Sequence, residues 1–176
     1  TGGERFLEKT PQHVLNLGRL VKYFPYAHFI CMYRDGRDCF CSARQHQGVP
    51  QGANLVKYAK YWRRCIRSQL AVSSYANVLQ VRYENLTRDP EKVVGSINRF
   101  LGLEYEAGQI DPEKYSRDRR SNLPEFTKLK KPINTTSQER WKKDMSMHEI
   151  VVFERIAGKE LVRLGYDASI SGSSFR

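Results

Sequence analysis

Arg34 and Ser42 stand eight residues apart across a charge-dense turn, Arg34-Asp35-Gly36-Arg37-Asp38, within the stretch FICMYRDGRDCFCSARQHQ. The turn follows Phe29-Ile30-Cys31-Met32-Tyr33, a short and nearly continuous apolar run that reads as a buried parallel strand. A helix is expected from Asp38 to about His46. A strand that turns sharply into a helix presents free backbone N–H groups and the positive end of a helix dipole at one point. Arg34 at the strand end and Ser42 inside the helix could therefore converge on one anion, a guanidinium from one side and a hydroxyl from the other. The competing reading is a surface turn whose arginines and aspartates pair with one another.

The rest of the composition bounds what carries that anion. The 176 residues have a net charge of +11, which favours acidic partners such as nucleotides, nucleic acid and sulfated or phosphorylated substrates. A hydrophobic content of 40% and an aromatic content of 11% suit one globular domain with a full core. No apolar run approaches the roughly 18 residues of a membrane span. Cys31, Cys39, Cys41 and Cys65 form no metal-ligand pattern, and Cys39-Phe40-Cys41 is too tight for an ordinary disulfide. Reduced cysteines favour a cytoplasmic setting, while the sequons Asn85-Leu86-Thr87 and Asn134-Thr135-Thr136 leave a Golgi lumen as the alternative.

Several elements must position the turn. Arg5-Phe6-Leu7-Glu8 is a strand candidate, and Thr10-Pro11 marks a helix start that runs to about Tyr23, with Val14, Leu17, Gly18 and Val21 inward. With the strand at Phe29–Tyr33 this makes a βαβ unit, so Glu8-Lys9 and Arg34 are expected at the same C-terminal sheet edge. A long helix over about Asn54–Tyr75 turns Leu55, Tyr58, Trp62, Ile66 and Gln69 inward, with Lys57, Lys60, Arg64 and Arg67 on another face. Val78–Tyr83 is the second strand. Asp89 caps and Pro90 starts a helix through Leu101 that buries Val93, Val94, Ile97 and Phe100, and Gly102 stops it. The stretch from Glu104 to Ile133 shows no firm periodicity and is polar, which points to a functional loop or a disordered segment. A last helix over Ser146–Leu164 packs Ile150, Phe153, Ala157, Leu161 and Leu164.

These pieces, in this order, carry a resemblance. Glu8-Lys9-Thr10-Pro11, Arg34-Asp-Gly-Arg-Asp with Ser42, Val81-Arg-Tyr-Glu-Asn-Leu86, Asp89-Pro-Glu, Phe100-Leu-Gly-Leu103, Ser137-x-x-Arg140-Trp141 and Leu164-Gly-Tyr166 resemble sulfotransferases that use 3′-phosphoadenosine 5′-phosphosulfate (PAPS). The resemblance implies an α/β, three-layer fold: a parallel sheet flanked by helices, P-loop NTPase-like, with its N-terminal part missing. It implies a single sulfotransferase domain over 1–176 representing the C-terminal two-thirds, with 104–135 as a substrate-side loop and 167–176 as a frayed tail. It also implies that Arg34 and Ser42 grip the 3′-phosphate of PAPS, that Tyr83 lies beside its adenine side, and that Ser137, Arg140 and Trp141 belong to a late segment closing over the nucleotide. Glu8 matches the general base and Lys9 a residue at the sulfuryl centre; His13 is the fallback base, and Lys9 is expected to keep Glu8 ionised.

The expected reaction moves a sulfuryl group from PAPS to an acceptor hydroxyl or amine of a carbohydrate, small molecule or peptide, with no metal. Upstream of Glu8 there is no room for the Gly-rich loop that cradles the 5′-phosphosulfate in such enzymes, so this chain is expected to be an incomplete, inactive portion. The alternative is a basic nucleotide- or nucleic-acid-binding module without catalysis, although no RNA-binding or helix-turn-helix signature accompanies the charge. A kinase-like reading would need a P-loop lysine and Mg²⁺ ligands, and neither motif occurs.

Overall fold

The computed structural model describes residues 5–45, 50–111 and 132–168. Its centre is a parallel pair of strands, β1 (Phe29–Tyr33) and β2 (Val78–Arg82), in register from Phe29 opposite Val78 to Tyr33 opposite Arg82. β1 brings the aromatic Phe29 and Tyr33 and β2 the β-branched Val78 and Val81, types that suit a pleated, half-buried surface. Seven helices are described: α1 (Leu17–Tyr23), α2 (Gly36–Ala43), α3 (Leu55–Leu70), α4 (Tyr83–Arg88), α5 (Pro90–Leu101), α6 (Trp141–Asp144) and α7 (Met147–Arg163). Short 3₁₀ segments occupy Pro11–Asn16, Pro50–Ala53 and Ala107–Ile110.

Side chains alternate across the pleat, so the two faces of the pair bury different things. Phe29, Cys31 and Val78 pack on one face against Leu17 and Val21 of α1 and against Val72. Leu79 and Val81 turn the other way, towards Val93 and Ile97 of α5. The main core lies where α2, α3 and α7 meet: Phe40, Tyr58, Trp62, Ile66, Ile150, Phe153, Ala157 and Leu161 form one cluster with Trp141.

Local codes account for most of the helix boundaries. Asn54 caps α3 by accepting the Lys57 N–H, and Tyr58, Trp62, Ile66 and Gln69 of the expected stripe are buried. Asp89 accepts the Lys92 N–H at the start of α5, and Gly102 ends it at φ 62°, the left-handed region that favours glycine. Ser146 and Glu149 form a reciprocal capping box at the start of α7.

Other expectations are corrected. Arg5–Glu8 is not a strand; Phe6 and Leu7 are 90% and 89% exposed, because among the described residues no neighbouring strand gives them a partner or an apolar surface. Thr10 does not cap: its hydroxyl donates to Glu8 instead, and the first turn is 3₁₀ before α1 proper. Gly18 is exposed, not inward. Helix α2 begins at Gly36, two residues earlier than expected, because Asp35 caps it by accepting the Arg37 N–H. Helix α3 stops at Leu70 and β2 at Arg82, so Tyr83 opens α4. In α5, Val93, Val94, Ile97 and Phe100 are only half-buried, since the strand pair is too narrow to cover them, and Asn98 is the buried residue. Most of the 104–135 loop and of the 167–176 tail lies outside the described residues.

Candidate functional site

The register of the sheet builds the site. Tyr33 and Arg82 are partners at the C-terminal edge, so the residues that follow them, Arg34 and Tyr83, emerge side by side. The Arg34 guanidinium carbon lies 4.6 Å from the centre of the Tyr83 ring, a cation–π stack. Its Nη2 donates to the carbonyl of Ser137, from a segment a hundred residues further on. That nitrogen is also 3.7 Å from Asp38 Oδ2. Arg34 Nε is buried and has no hydrogen-bond partner among the described residues. A donor left unmade in a protein interior costs free energy, so this atom marks a place where an acceptor would be stabilising.

Beneath Arg34 lies a second arginine that the sequence analysis did not single out. Arg37 is 1% exposed and donates to Asp35 through Nε at 3.1 Å and Nη2 at 2.7 Å, a bidentate pair. Its Nη1 donates to Glu154 of α7 at 2.7 Å, and its guanidinium lies 3.7 Å above the Trp141 ring. Burial lowers the Arg37 pKa, but the carboxylates of Asp35 and Glu154 outweigh it and raise it overall. Asp35 in turn donates its N–H to Glu84 at 3.1 Å, and Glu84 accepts the Tyr166 hydroxyl at 2.8 Å. Burial, and then the Glu84 charge, push the Tyr166 hydroxyl up. The turn's arginines and aspartates do pair with one another, as the competing reading had it, but in the core and not on the surface.

The remaining candidates fall in different places. Ser42 is half-buried in the last turn of α2, and no hydrogen bond joins it to Arg34 among the described residues. Ser137 meets Arg34 through its main chain, not its hydroxyl. Arg140 directs its guanidinium at Asp144, with Nε and Nη2 at 2.8 and 2.7 Å from Oδ2. Trp141 is buried and its ring supports Arg37.

Glu8 and Lys9 are exposed and form no contact with the Arg34 group among the described residues. Glu8 accepts from the Thr10 hydroxyl and is 3.1 Å from His13 Nδ1. The Thr10 hydrogen bond is the largest influence and, with His13, holds its carboxyl below the usual value of 4.5 against the opposing effect of burial. Thr10 and His13, and not Lys9 as expected, therefore keep it ionised.

A cleft of about 330 Å³ opens beside the Asp35–Glu84–Tyr166 network, and one of about 370 Å³ lies between β2 and α5. Arg34 lines neither, although Asp35, Arg37 and Asp38 of the turn and Trp141 of the late segment line the first.

A model of the sulfotransferase family matches residues 1–107. The chain belongs to the sulfotransferase family. Protein-tyrosine sulfotransferase 1 of Danio rerio is 27% identical over an alignment covering 90% of this chain and 47% of that relative. The chain thus spans about half the length of that relative. Two solved structures share the sulfotransferase fold. One is the sulfotransferase domain from the curacin biosynthetic pathway, with a TM-score of 0.66 and 16% identity over 91% of this chain and 62% of that one. The other is the domain of the Synechococcus PCC 7002 olefin synthase, with a TM-score of 0.62 and 22% identity over 91% of this chain and 58% of that one. The expected α/β, parallel-sheet, P-loop-like class is the class of these sulfotransferase domains.

The buried carboxylates left one readable trace in the sequence. Glu154 sits four residues after Ile150 and three before Ala157, inside the apolar stripe of α7. A charge in such a stripe demands a buried partner. Asp35, Glu84 and Tyr166 carried no comparable signal, because only the fold brings them together.

Proposed function

We propose that this chain carries the 3′-phosphate side of a PAPS site and that the protein to which it belongs transfers a sulfuryl group to an acceptor hydroxyl. The observation that carries this reading is the convergence of Arg34, Tyr83 and the Ser137 main chain at the C-terminal sheet edge, with Arg34 Nε buried and unpartnered. Open α/β sheets bind their ligands at that edge. In this reading Arg34, with Ser42, holds the phosphate, and the Tyr83 ring lies beside the adenine side. The 137–141 segment, with Ser137, Arg140 and Trp141, closes over the nucleotide.

PAPS supplies the activated sulfuryl group. A bond forms from the acceptor oxygen to sulfur as the bond from sulfur to the phosphate oxygen breaks, and adenosine 3′,5′-bisphosphate leaves. Glu8 takes the acceptor proton, and the adjacent Lys9 stabilises charge at the sulfuryl centre. His13, the fallback base, has its Nδ1 3.1 Å from Glu8 Oε2, so the two contenders form one unit. The Danio rerio relative is a protein-tyrosine sulfotransferase, which makes a tyrosine hydroxyl of a protein or peptide the favoured acceptor. The four unpaired cysteines support a cytoplasmic setting for this chain, with the Golgi lumen as the alternative.

The test compares adenosine 3′,5′-bisphosphate with 5′-AMP by isothermal titration calorimetry. One charge-assisted hydrogen bond is worth about 1.5–3 kcal/mol, so the bisphosphate should bind roughly 10- to 100-fold more tightly and Arg34→Ala should abolish the difference. Equal affinities for the two nucleotides would overturn the assignment. Salt-sensitive binding of random RNA that outcompetes the bisphosphate would favour the nucleic-acid module instead.

A further inference from the structure

Asp38 makes more contacts than its place in the first turn of α2 requires. It is fully buried. Its Oδ1 accepts the Trp141 N–H at 3.0 Å and its Oδ2 accepts the Glu139 N–H at 2.9 Å. The same Oδ2 stands 3.7 Å from Arg34 Nη2, which itself donates to the Ser137 carbonyl. One carboxylate and one guanidinium therefore fasten residues 137, 139 and 141 from a single side. Gln138, between them, donates to the Glu84 carbonyl at 3.1 Å and to the Thr87 hydroxyl at 2.7 Å.

The fastened segment is strained. Glu139 has φ 54°, and among the described residues it is the one non-glycine in the left-handed region, where a Cβ crowds the following carbonyl. Strain of this kind persists only where the surroundings enforce it. The Glu139 side chain does not enforce it, being exposed and, among the described residues, paired only with Lys142. The restraint acts through its main chain, at Asp38.

We propose that Asp38 is a positioning residue that holds Arg34 and the strained 137–141 segment as one unit, so that an anion gripped by Arg34 is bound with that segment already closed. The proposal rests on the reading of Arg34 as the phosphate-binding residue. The carboxylate is suited to this role because it is acceptor-only and has two oxygens for two N–H groups and a cation. Asparagine keeps the shape but turns a donor towards one of those N–H groups.

The experiment measures amide hydrogen exchange and adenosine 3′,5′-bisphosphate affinity on the full chain and on Asp38→Asn, Arg34→Ala and the double variant Asp38→Asn/Glu139→Gly. Glycine accepts the left-handed φ, so the second substitution supplies the turn geometry without the Asp38 contact. In Asp38→Asn the Glu139 and Trp141 amides should exchange at least about tenfold faster and the bisphosphate should bind about tenfold more weakly, as for loss of one charge-assisted hydrogen bond. The amides of α3 and α7 should stay protected, and the double variant should recover part of both losses. Arg34→Ala, without nucleotide, should also speed exchange at Glu139 and Trp141, which decides the matter if Asp38→Asn does not fold.

Unchanged exchange at both amides would overturn the proposal. So would wild-type affinity in Asp38→Asn while Arg34→Ala is weakened, or a double variant that recovers nothing. If the wild type does not prefer the bisphosphate to 5′-AMP, the phosphate reading of Arg34 fails by itself. The exchange rates then still report whether Asp38 holds the unit.

Discussion

Replacing Arg37 with methionine should cost about 3–4 kcal/mol of folding free energy, because it leaves buried carboxylates without their shared cation. Asp35 and Glu154 are 5% and 0% exposed, and Arg37 donates to both at 2.7 Å. Removing one partner of a buried pair costs about 3–5 kcal/mol. The lower part of that range applies here for two reasons. Methionine keeps apolar contact with the Trp141 ring, and the backbone N–H of residue 37 still reaches Asp35 Oδ1, at 2.9 Å in the native chain. A domain's whole stability is about 5–15 kcal/mol, so the variant should fold, but marginally. For a chain of this size the melting temperature should fall by roughly 6–16 °C. The urea midpoint should drop by about 1.5–2 M at an m-value near 2 kcal/mol/M.

Urea titration followed by circular dichroism measures the change, with an unchanged m-value as the two-state check. Glu154→Gln should cost about 1–3 kcal/mol alone, and the double variant less than the sum of the two singles. A loss below about 1 kcal/mol in Arg37→Met would show that the carboxylates are neutral or hydrated and that the network is not a buried ionic unit. Additive losses would refute the coupling between α2 and α7.

Gly36→Ala should cost about 2–3 kcal/mol in the same titration, since a Cβ there would lie 2.6 Å from the Trp62 ring and 2.7 Å from Phe153, both buried. No measurable loss would mean that these rings part freely. Glu8→Gln in the complete enzyme should leave bisphosphate affinity unchanged and lower sulfate transfer to a tyrosine peptide by about 10²–10⁴-fold. Because the Glu8 carboxyl is held below 4.5, wild-type transfer should persist at neutral pH and fall only as pH drops through that depressed value; an acid limb well above 4.5 would refute Glu8 as the base. Burial pushes the Cys31 and Cys41 thiols up to about 11 and the Cys39 thiol, where burial outweighs Arg34, up to about 12. At pH 8 roughly one thiol in a thousand or fewer is then thiolate, so iodoacetamide should label the folded protein far more slowly than the urea-unfolded chain. Fast labelling of the folded state would contradict that burial.

Residues that speak to near neighbours were legible in the chain. Asp89, Pro90 and Gly102 fix the ends of α5 by themselves, because capping needs only residues a turn apart. The inward stripe of α3 follows from its 3.6-residue period, and β1 from its apolar run. Phe6-Leu7 read as strand for the same local reasons and failed, since a strand exists only against a partner.

The sequence alone determined β1, the strand-to-helix turn after it, the later helices α3, α5 and α7 in their order, and the presence of a guanidinium at the mouth of that turn. Only the tertiary structure decided which arginine is locked between carboxylates and which keeps a buried Nε without a partner among the described residues. Arg34 and Arg37 are three residues apart with the same chemistry, and no local rule separates them. Helix α7 brings Glu154 to Arg37 across 117 positions, and the β1–β2 register sets Tyr83 under Arg34. Burying a charge is tolerated only where its counter-charges arrive, and their arrival depends on the packing of distant elements.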